Sequence, residues 1–337
     1  MKHYHFELKN EIFKKLKLLA FIVILFQINE INAQEVKCSG CKQLIGGKYI
    51  VEDGDSYHPN HFVCAKCNKP INGNYYKKDG KIFDAQCYTN SVAPDCAVCD
   101  KPLTGQYLTD LYGMNYHHFH EKEIHRCDNC NRIISLNTTR GGVNYADGRY
   151  VCNICNKHAV KSDAAYERSL NKIILRLQNY GLNLNLDNVE LYSVDRTELK
   201  NVSDGRYSNS ARGYCQTIVT SQNRGGKSEV SKSHTIYILD KIPLKYIEAT
   251  LAHELMHVWI SENVDHKLSN QLEEGSCNFI AYTNLKSDYS DDAQNIIKLM
   301  KNDSDPIYGH GFRKVYENFR GKYLSELLNY LKRYKSL

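Results

Sequence analysis

The sequence lacks a strong excess of charge of either sign: 44 Lys and Arg stand against 38 Asp and Glu in 337 residues, a formal net charge of +6. Residues 1–33, with five Lys and three Glu, supply +2 of it. What remains gives no electrostatic case for a nucleic-acid partner. The chain also lacks an apolar run that spans a bilayer comfortably; LLAFIVILF, from Leu18 to Phe26, is too short. The second half has little cysteine. Eleven of thirteen fall between Cys38 and Cys155, and only Cys215 and Cys277 lie beyond. With 42% hydrophobic residues the chain can bury real cores, so the uneven cysteine points to two modules with different means of stabilisation.

Lys14, Lys15 and Lys17 precede the apolar run, and a polar stretch then leads to INAQ, with Ala33 at a cleavage position. That is the order of a secretory signal. Residues 1–33 are expected to be a signal peptide, and the protein to be secreted or periplasmic with no stable membrane span after cleavage. An uncleaved signal would leave it membrane-anchored. The Lys-, Asn-, Ile- and Tyr-rich style resembles a bacterial secreted protein.

Five CxxC pairs organise the first half: Cys38/Cys41, Cys64/Cys67, Cys96/Cys99, Cys127/Cys130 and Cys152/Cys155. A two-residue gap lets two thiolates of one turn face the same ion, as tetrahedral zinc requires. Between them HPNH, DAQC and HHFH each place two further donors three apart. Read in order, they form four quartets: Cys38, Cys41, His58, His61; Cys64, Cys67, Asp84, Cys87; Cys96, Cys99, His117, His120; and Cys127, Cys130, Cys152, Cys155. The 16 to 21 residues between the halves of a quartet suffice for one β-hairpin. A disulfide framework, which secretion would favour, needs neither His nor Asp at ligand spacing and fits poorly with an odd number of cysteines. Four-ligand zinc sites leave no position for water and are structural.

These quartets resemble tandem LIM domains, on the full signature CSGC, YHPNHFVCAKCNKPING and DGKIFDAQC and on a looser second unit from CAVC to CNIC. His61 stands where LIM domains commonly have Cys, and Asp84 where Cys or His is usual. The resemblance implies a surface for protein partners.

In the second half, residues 159–180 predict an amphipathic helix with Tyr166, Leu170, Ile173 and Leu177 on one stripe and Gly181 as a stop. Strands are predicted at Val189–Val194, Tyr214–Thr220 and His234–Leu239, with SQNRGGKSEVSKS between the last two as a polar loop. Pro243 opens a long helix whose buried stripe is Ile247, Leu251, Leu255 and Val258. On it LAHELMHVWI carries HExxH. His253 and His257, one turn apart, project from the same side, with Glu254 beside them, the arrangement that puts two imidazoles on zinc and a carboxylate next to its water. The metzincin extension needs Gly at 260 and His at 263; Ile260 and Asn263 exclude it. QLEEGSCNFIAY at 271–282 reads as a following helix. Its Glu-Gly resembles the third-ligand motif of gluzincin peptidases, which implies Glu274 as the third ligand, with Glu273 the runner-up. Tyr308, His310 and Arg212 are of the right type to stabilise an oxyanion, and Cys215 and Cys277 read as buried small hydrophobes. A strand near Thr235–Leu239 is expected to hold extended substrate by edge pairing.

LIM-type units, then HExxH, then EEG together resemble the ubiquitin-activated LIM-domain metallopeptidases known from plants, where they limit organ growth, and their bacterial relatives. YHHFHEKEIHRCDNC, ARGYC (211–215) and DPIYGHGF (305–312) match that family in order along the chain, with His117 where the family tends to have Cys. The plant proteins carry ubiquitin-interacting helices ahead of the first LIM unit, where this chain has the signal-like segment, so regulation by ubiquitin is not carried over. The expected fold is α+β: a LIM domain over 36–92, a second LIM-like unit over 93–158, and a mainly helical zincin-like metallopeptidase domain with a small sheet over 159–337. The expected function is zinc-dependent hydrolysis of peptide bonds in a protein or peptide substrate, with one catalytic and about four structural zinc ions. The alternatives are an adaptor with an inactive peptidase domain, and hydrolysis of a non-protein amide such as cell-wall peptide.

Overall fold

Four similar turns begin the zinc-binding half. In each, the residue after the second cysteine of a CxxC pair takes a left-handed backbone and donates its amide to the carbonyl of the first: Lys42 to Cys38, Asn68 to Cys64, Asp100 to Cys96 and Asn131 to Cys127. Asn and Asp visit that conformation more readily than other non-glycine residues, which accounts for three of the four. The structure is a computed structural model that describes residues 35–203, 211–224 and 227–337; the signal-like segment 1–33 lies outside them. The described residues fall into two compact units, divided after Ala85.

The first unit holds two hairpins, β1 (Ile50–Glu52) with β2 (Asp55–Tyr57), and β3 (Tyr75–Lys78) with β4 (Lys81–Asp84). Asp53-Gly54 and Asp79-Gly80 close them with positive φ at both residues, the two-residue turn whose twist matches that of the strands. Helix α1 (Ala85–Ser91) follows. The second unit repeats the scheme with β5 (Tyr107–Thr109), β6 (Asn115–His117) and α2 (His120–Glu123), then α3 (Leu136–Thr139), β7 (Gly142–Asn144), β8 (Tyr150–Cys152) and α4 (Asn153–Lys157). In all four cases the second donor pair of a quartet straddles the end of the hairpin and the helical turn after it.

The rest of the second unit comprises α5 (Asp163–Asn179), β9 (Val189–Val194), α6 (Arg196–Val202), β10 (Gly213–Arg224), β11 (Lys227–Leu239), α7 (Leu244–Asn263), α8 (Asn270–Leu285), α9 (Asp291–Asn302), α10 (Tyr308–Phe319) and α11 (Leu324–Leu331). Helix α5 starts four residues later than the sequence predicts. Ala159 bridges to Pro243 and the Val160 amide donates to the Ile242 carbonyl, so this stretch is held extended against the entry to α7. The fourth quartet shares the core of the helical part: Cys127, Cys130, Cys152 and Cys155 are at most 2% exposed and belong to one apolar cluster with Ile173 and Leu177 of α5 and Ile247, Leu251 and Leu255 of α7.

Arg149, fully buried, ties that region together. It bonds the Asp147 carboxylate at 2.7 Å, the Asp240 carboxylate at 2.5 Å and the Asp240 carbonyl at 2.7 Å. Removing one partner of such a buried ionic cluster typically costs about 3–5 kcal/mol, because the charges left behind stay buried. Arg149→Met is expected to lower the midpoint of thermal unfolding steeply, measured by circular dichroism on the zinc-loaded chain.

The sheet has the order β10-β11-β9, β10 antiparallel and β9 parallel to β11. Two sequence expectations change here. The stretch read as a polar loop is strand on both sides, paired from Gly213↔Ile238 out to Arg224↔Lys227. Its outer half has both faces in water, with Ile218, Val219 and Val230 all more than half exposed, so no apolar alternation marks it. Thr235–Leu239 is also not an edge: Thr235 pairs with Gln216 on one side and Glu190 on the other. Among the described residues, the edge strand beside α7 is β10.

Two glycines set the crossing of α8 and α10. A Cβ on Gly275 would lie 2.4 Å from the Gly311 carbonyl, and one on Gly311 would lie 2.3 Å from the Gln271 carbonyl. Only bare backbone fits at this separation, and the contact brings Tyr308, at the start of α10, over the face of α8. No described helix is long and apolar enough to cross a membrane.

Candidate metal centre

Helix α7 is buried nearly all round, and its few less buried positions include His253 and His257. The two imidazoles lie 5.1 Å apart between ring centroids. From α8, Glu274 places Oε2 at 3.2 Å from Nε2 of His253 and 3.5 Å from Nε2 of His257. That oxygen is buried and makes no well-formed hydrogen bond, a costly state for a carboxylate unless a cation completes it. Burial pushes its carboxyl pKa up, but the two imidazoles outweigh this and hold it well below the usual carboxylate range. Two imidazole nitrogens and a carboxylate oxygen converging beside a cavity of about 920 Å³ match the donor set of a zinc site that keeps one position open.

The outer nitrogens have partners too. His253 Nδ1 is 3.0 Å from Asn278 Oδ1, and His257 Nδ1 is 3.3 Å from Glu273 Oε1. Such contacts fix which nitrogen faces the metal and hold the ring in place. Asn278 in turn donates to the Tyr308 carbonyl at 3.3 Å. Glu273 therefore sits behind His257, and Glu274 between the two rings. Sequence reasoning missed Asn278; its only signal was its place one turn after Glu274 on the same helix.

Cys277 offers a second third donor, since its Sγ lies within 4.8 Å of a nitrogen on each imidazole. It is buried, as the sequence suggests, but it lies beside the histidine pair and not in a purely apolar setting. The carboxylate remains the better ligand. Glu274 lines the cavity, whereas Cys277 is fully buried and does not, and burial pushes its thiol pKa up to about 12. Cys215, on β10, is likewise raised to about 12 by burial and by the Glu254 charge.

Glu254 is 5% exposed and faces the start of β10. A Cβ added to Gly213 would come within 2.6 Å of its Oε1 and 2.5 Å of Thr250 Cγ2. Burial raises the Glu254 pKa, and nearby Glu274 adds to the rise. The group thus holds a proton more readily than an exposed glutamate, as proton transfer near neutral pH requires.

Of the three oxyanion candidates, Tyr308 lines the cavity with the three donors and Glu254. Burial and the Glu274 charge raise its hydroxyl pKa, so it stays a donor. Arg212 also lines the cavity but gives its Nη2 to the Asp128 and Asn129 carbonyls at 3.2 and 2.7 Å. His310 is exposed and does not line it.

The four quartets are each assembled, with their donor atoms within 4.8 Å of one another. Cys38 Sγ is 3.4 Å from His61 Nδ1, Cys41 Sγ 3.5 Å from His58 Nδ1, Cys67 Sγ 3.3 Å from the Asp84 carboxylate, Cys99 Sγ 3.5 Å from His117 Nδ1, and Cys130 Sγ 3.7 Å from Cys152 Sγ. All thirteen cysteines are free of disulfides. Both nitrogens of buried His120 lack a hydrogen-bond partner, and backbone amides aim at Cys38, Cys127 and Cys152 Sγ, which favours thiolates. These clusters have the donors of LIM-type zinc sites.

A model of the LIM domain matches residues 38–92, and a model described as DA1-like, Protein DA1, matches residues 195–299. Protein DA1 of Arabidopsis thaliana is 28% identical over 225 residues, covering 59% of this chain and 41% of that protein. Protein DA1-related 7 of the same plant is 26% identical over 362 residues, covering 88% and 63%. The LIM domain-containing protein HDR3 of Oryza sativa subsp. japonica is 24% identical, covering 74% and 56%. The chain spans less than two thirds of the length of each of these relatives. A LIM domain followed by a DA1-like domain is what this chain shares with them.

Proposed function

We propose that the protein is a zinc-dependent metallopeptidase of gluzincin type, with a zincin-like catalytic domain over 159–337 preceded by LIM-type units over 36–92 and 93–158. One observation carries the reading: the buried Glu274 oxygen between the Nε2 atoms of His253 and His257, with Glu254 beside them in the same cavity. His253, His257 and Glu274 hold the metal. The ion supplies a Lewis acid and lowers the pKa of a bound water toward neutrality.

The chain's own residues do the rest. Asn278 and Glu273 keep both Nε2 atoms turned inward. Glu254, packed against the Gly213 backbone, takes the proton of the attacking water and passes it to the leaving amine. The open edge of β10 offers backbone groups to an extended peptide, which suits a protein or peptide substrate. Tyr308 donates to the oxygen that gains charge at the scissile carbonyl. LIM domains generally mediate protein–protein contacts, and the first unit is suited to a protein partner. Secretion or periplasmic location follows the signal-like order of residues 1–33.

The test is turnover of a peptide library by the zinc-loaded full chain, with chelation abolishing and zinc restoring it. A wild-type chain inert on every peptide while its LIM half binds a protein tightly would replace this reading with the adaptor. Tyr308→Phe is expected to leave metal content unchanged and lower kcat by about 10²–10³-fold, the range for one oxyanion donor. Steady-state kinetics beside metal analysis would check it.

A further inference from the structure

Neither family match covers residues 93–194, which include the fourth quartet. We propose that the knuckle formed by Cys127, Cys130, Cys152 and Cys155 is the platform that sets β10 against Glu254, with Arg212 as the positioning residue between them. The inference rests on the catalytic reading of Glu254 given above.

The connection runs through consecutive contacts. Asp128 and Asn129 are the two residues enclosed by the Cys127/Cys130 turn, so binding of an ion by that turn fixes their carbonyls. Arg212 Nη2 donates to both, at 3.2 and 2.7 Å. The next residue is Gly213, which begins β10 with no room for a side chain beside Glu254. From the knuckle to the catalytic carboxylate the path therefore runs through the Arg212 hydrogen bonds, one peptide bond and the close packing of Gly213 on Glu254. The Leu239 amide donates to the Arg212 carbonyl at 2.8 Å, so the same residue is also registered on β11. Its guanidinium lies 5.1 Å from the ring centroid of Tyr246, on the helix that carries HExxH.

The knuckle is itself braced. Tyr112 donates to the Cys130 carbonyl at 2.5 Å, and Arg196 bonds the Asp128 carboxylate at 2.5 Å. Asn129, 1% exposed, keeps its side-chain amide without a partner, so the turn and not that amide holds it in place. Cys127, Asp128 and Asn131 line the same cavity as the metal-binding side chains of α7 and α8. This zinc site is thus a wall of the cleft and the support of its edge strand, a different duty from partner docking. Its loss frees two carbonyls, then Arg212, then the Gly213 backbone that packs on Glu254.

The test compares the zinc-loaded full chain with Arg212→Met and Tyr112→Phe by hydrogen-exchange mass spectrometry, metal analysis and steady-state kinetics. Arg212→Met is expected to keep its zinc and its cooperative unfolding, to exchange the amides of Gly213–Thr217 about 10–100-fold faster, and to lower kcat by a similar factor with a smaller change in KM, the scale at which outer partners act on a metal site. Tyr112→Phe, which loosens the knuckle without touching β10, is expected to speed the same amides by a smaller factor. A stability role alone would leave kcat unchanged well below the unfolding temperature. Unchanged exchange at Gly213–Thr217 in both variants would overturn the proposal. Should Arg212→Met misfold, Tyr112→Phe decides alone. If the wild-type chain turned over no peptide, the peptidase reading would fall, and the exchange data would still judge the coupling.

Discussion

Glu254→Gln is expected to retain every bound metal ion and to lose about 10²–10⁴-fold in kcat, the range supplied by a positioned acid–base group. The amide is nearly isosteric with the carboxylate. It fits the space left by Gly213 and Thr250. It cannot take a proton from water. Metal content is spared because the three converging donors are His253, His257 and Glu274. A second readout comes from the metal-free chain. Burial, then Glu274, raise the Glu254 pKa, so near neutral pH its charge costs folding free energy, and a neutral side chain removes that cost. Metal-free Glu254→Gln is therefore expected to melt higher than metal-free wild type. Unchanged turnover would end the hydrolase reading, and loss of the ion would make Glu254 a structural group.

Much of this was legible in the residues because the chemistry is periodic. CxxC recurs with a turn in which the residue after the second cysteine is most often Asn or Asp, and the two hairpins of the first unit are closed by Asp-Gly. Helix α7 carries both imidazoles on a heavily apolar surface, and Ile247, Leu251, Leu255 and Val258 are all fully buried. The open edge of the sheet was not legible, because it depends on which strands neighbour β11, and β9 arrives in parallel from across α6. The outer hairpin escaped because a strand wet on both faces has no reason to alternate apolar and polar side chains. Asn278 and Cys277 escaped for another reason. Their nearness to the imidazoles follows from how α8 lies on α7, and the Gly275–Gly311 crossing that helps to fix α8 is a contact between distant segments.

The same helix pairing allows the three acidic and thiol candidates on α8 to be separated by experiment. Glu274→Ala removes the oxygen that lies between the two Nε2 atoms, leaving two imidazoles and water for the ion. It is expected to bind one zinc fewer than wild type after dialysis against a moderate chelator, with the structural ions retained. Glu273→Ala removes only the partner of His257 Nδ1, and the ion should stay, held about 10–100-fold less tightly, as is usual when an outer hydrogen bond to a ligand is lost. Cys277→Ser is expected to retain the ion with little change, since the buried thiol does not face the cavity where the donors converge. Chelator competition on the three variants checks the order. If Cys277→Ser lost the ion and Glu274→Ala kept it, the ligand set would be two histidines and a thiolate. The site would then resemble a Cys-containing zinc centre, and Glu274 would become a second carboxylate available to handle protons.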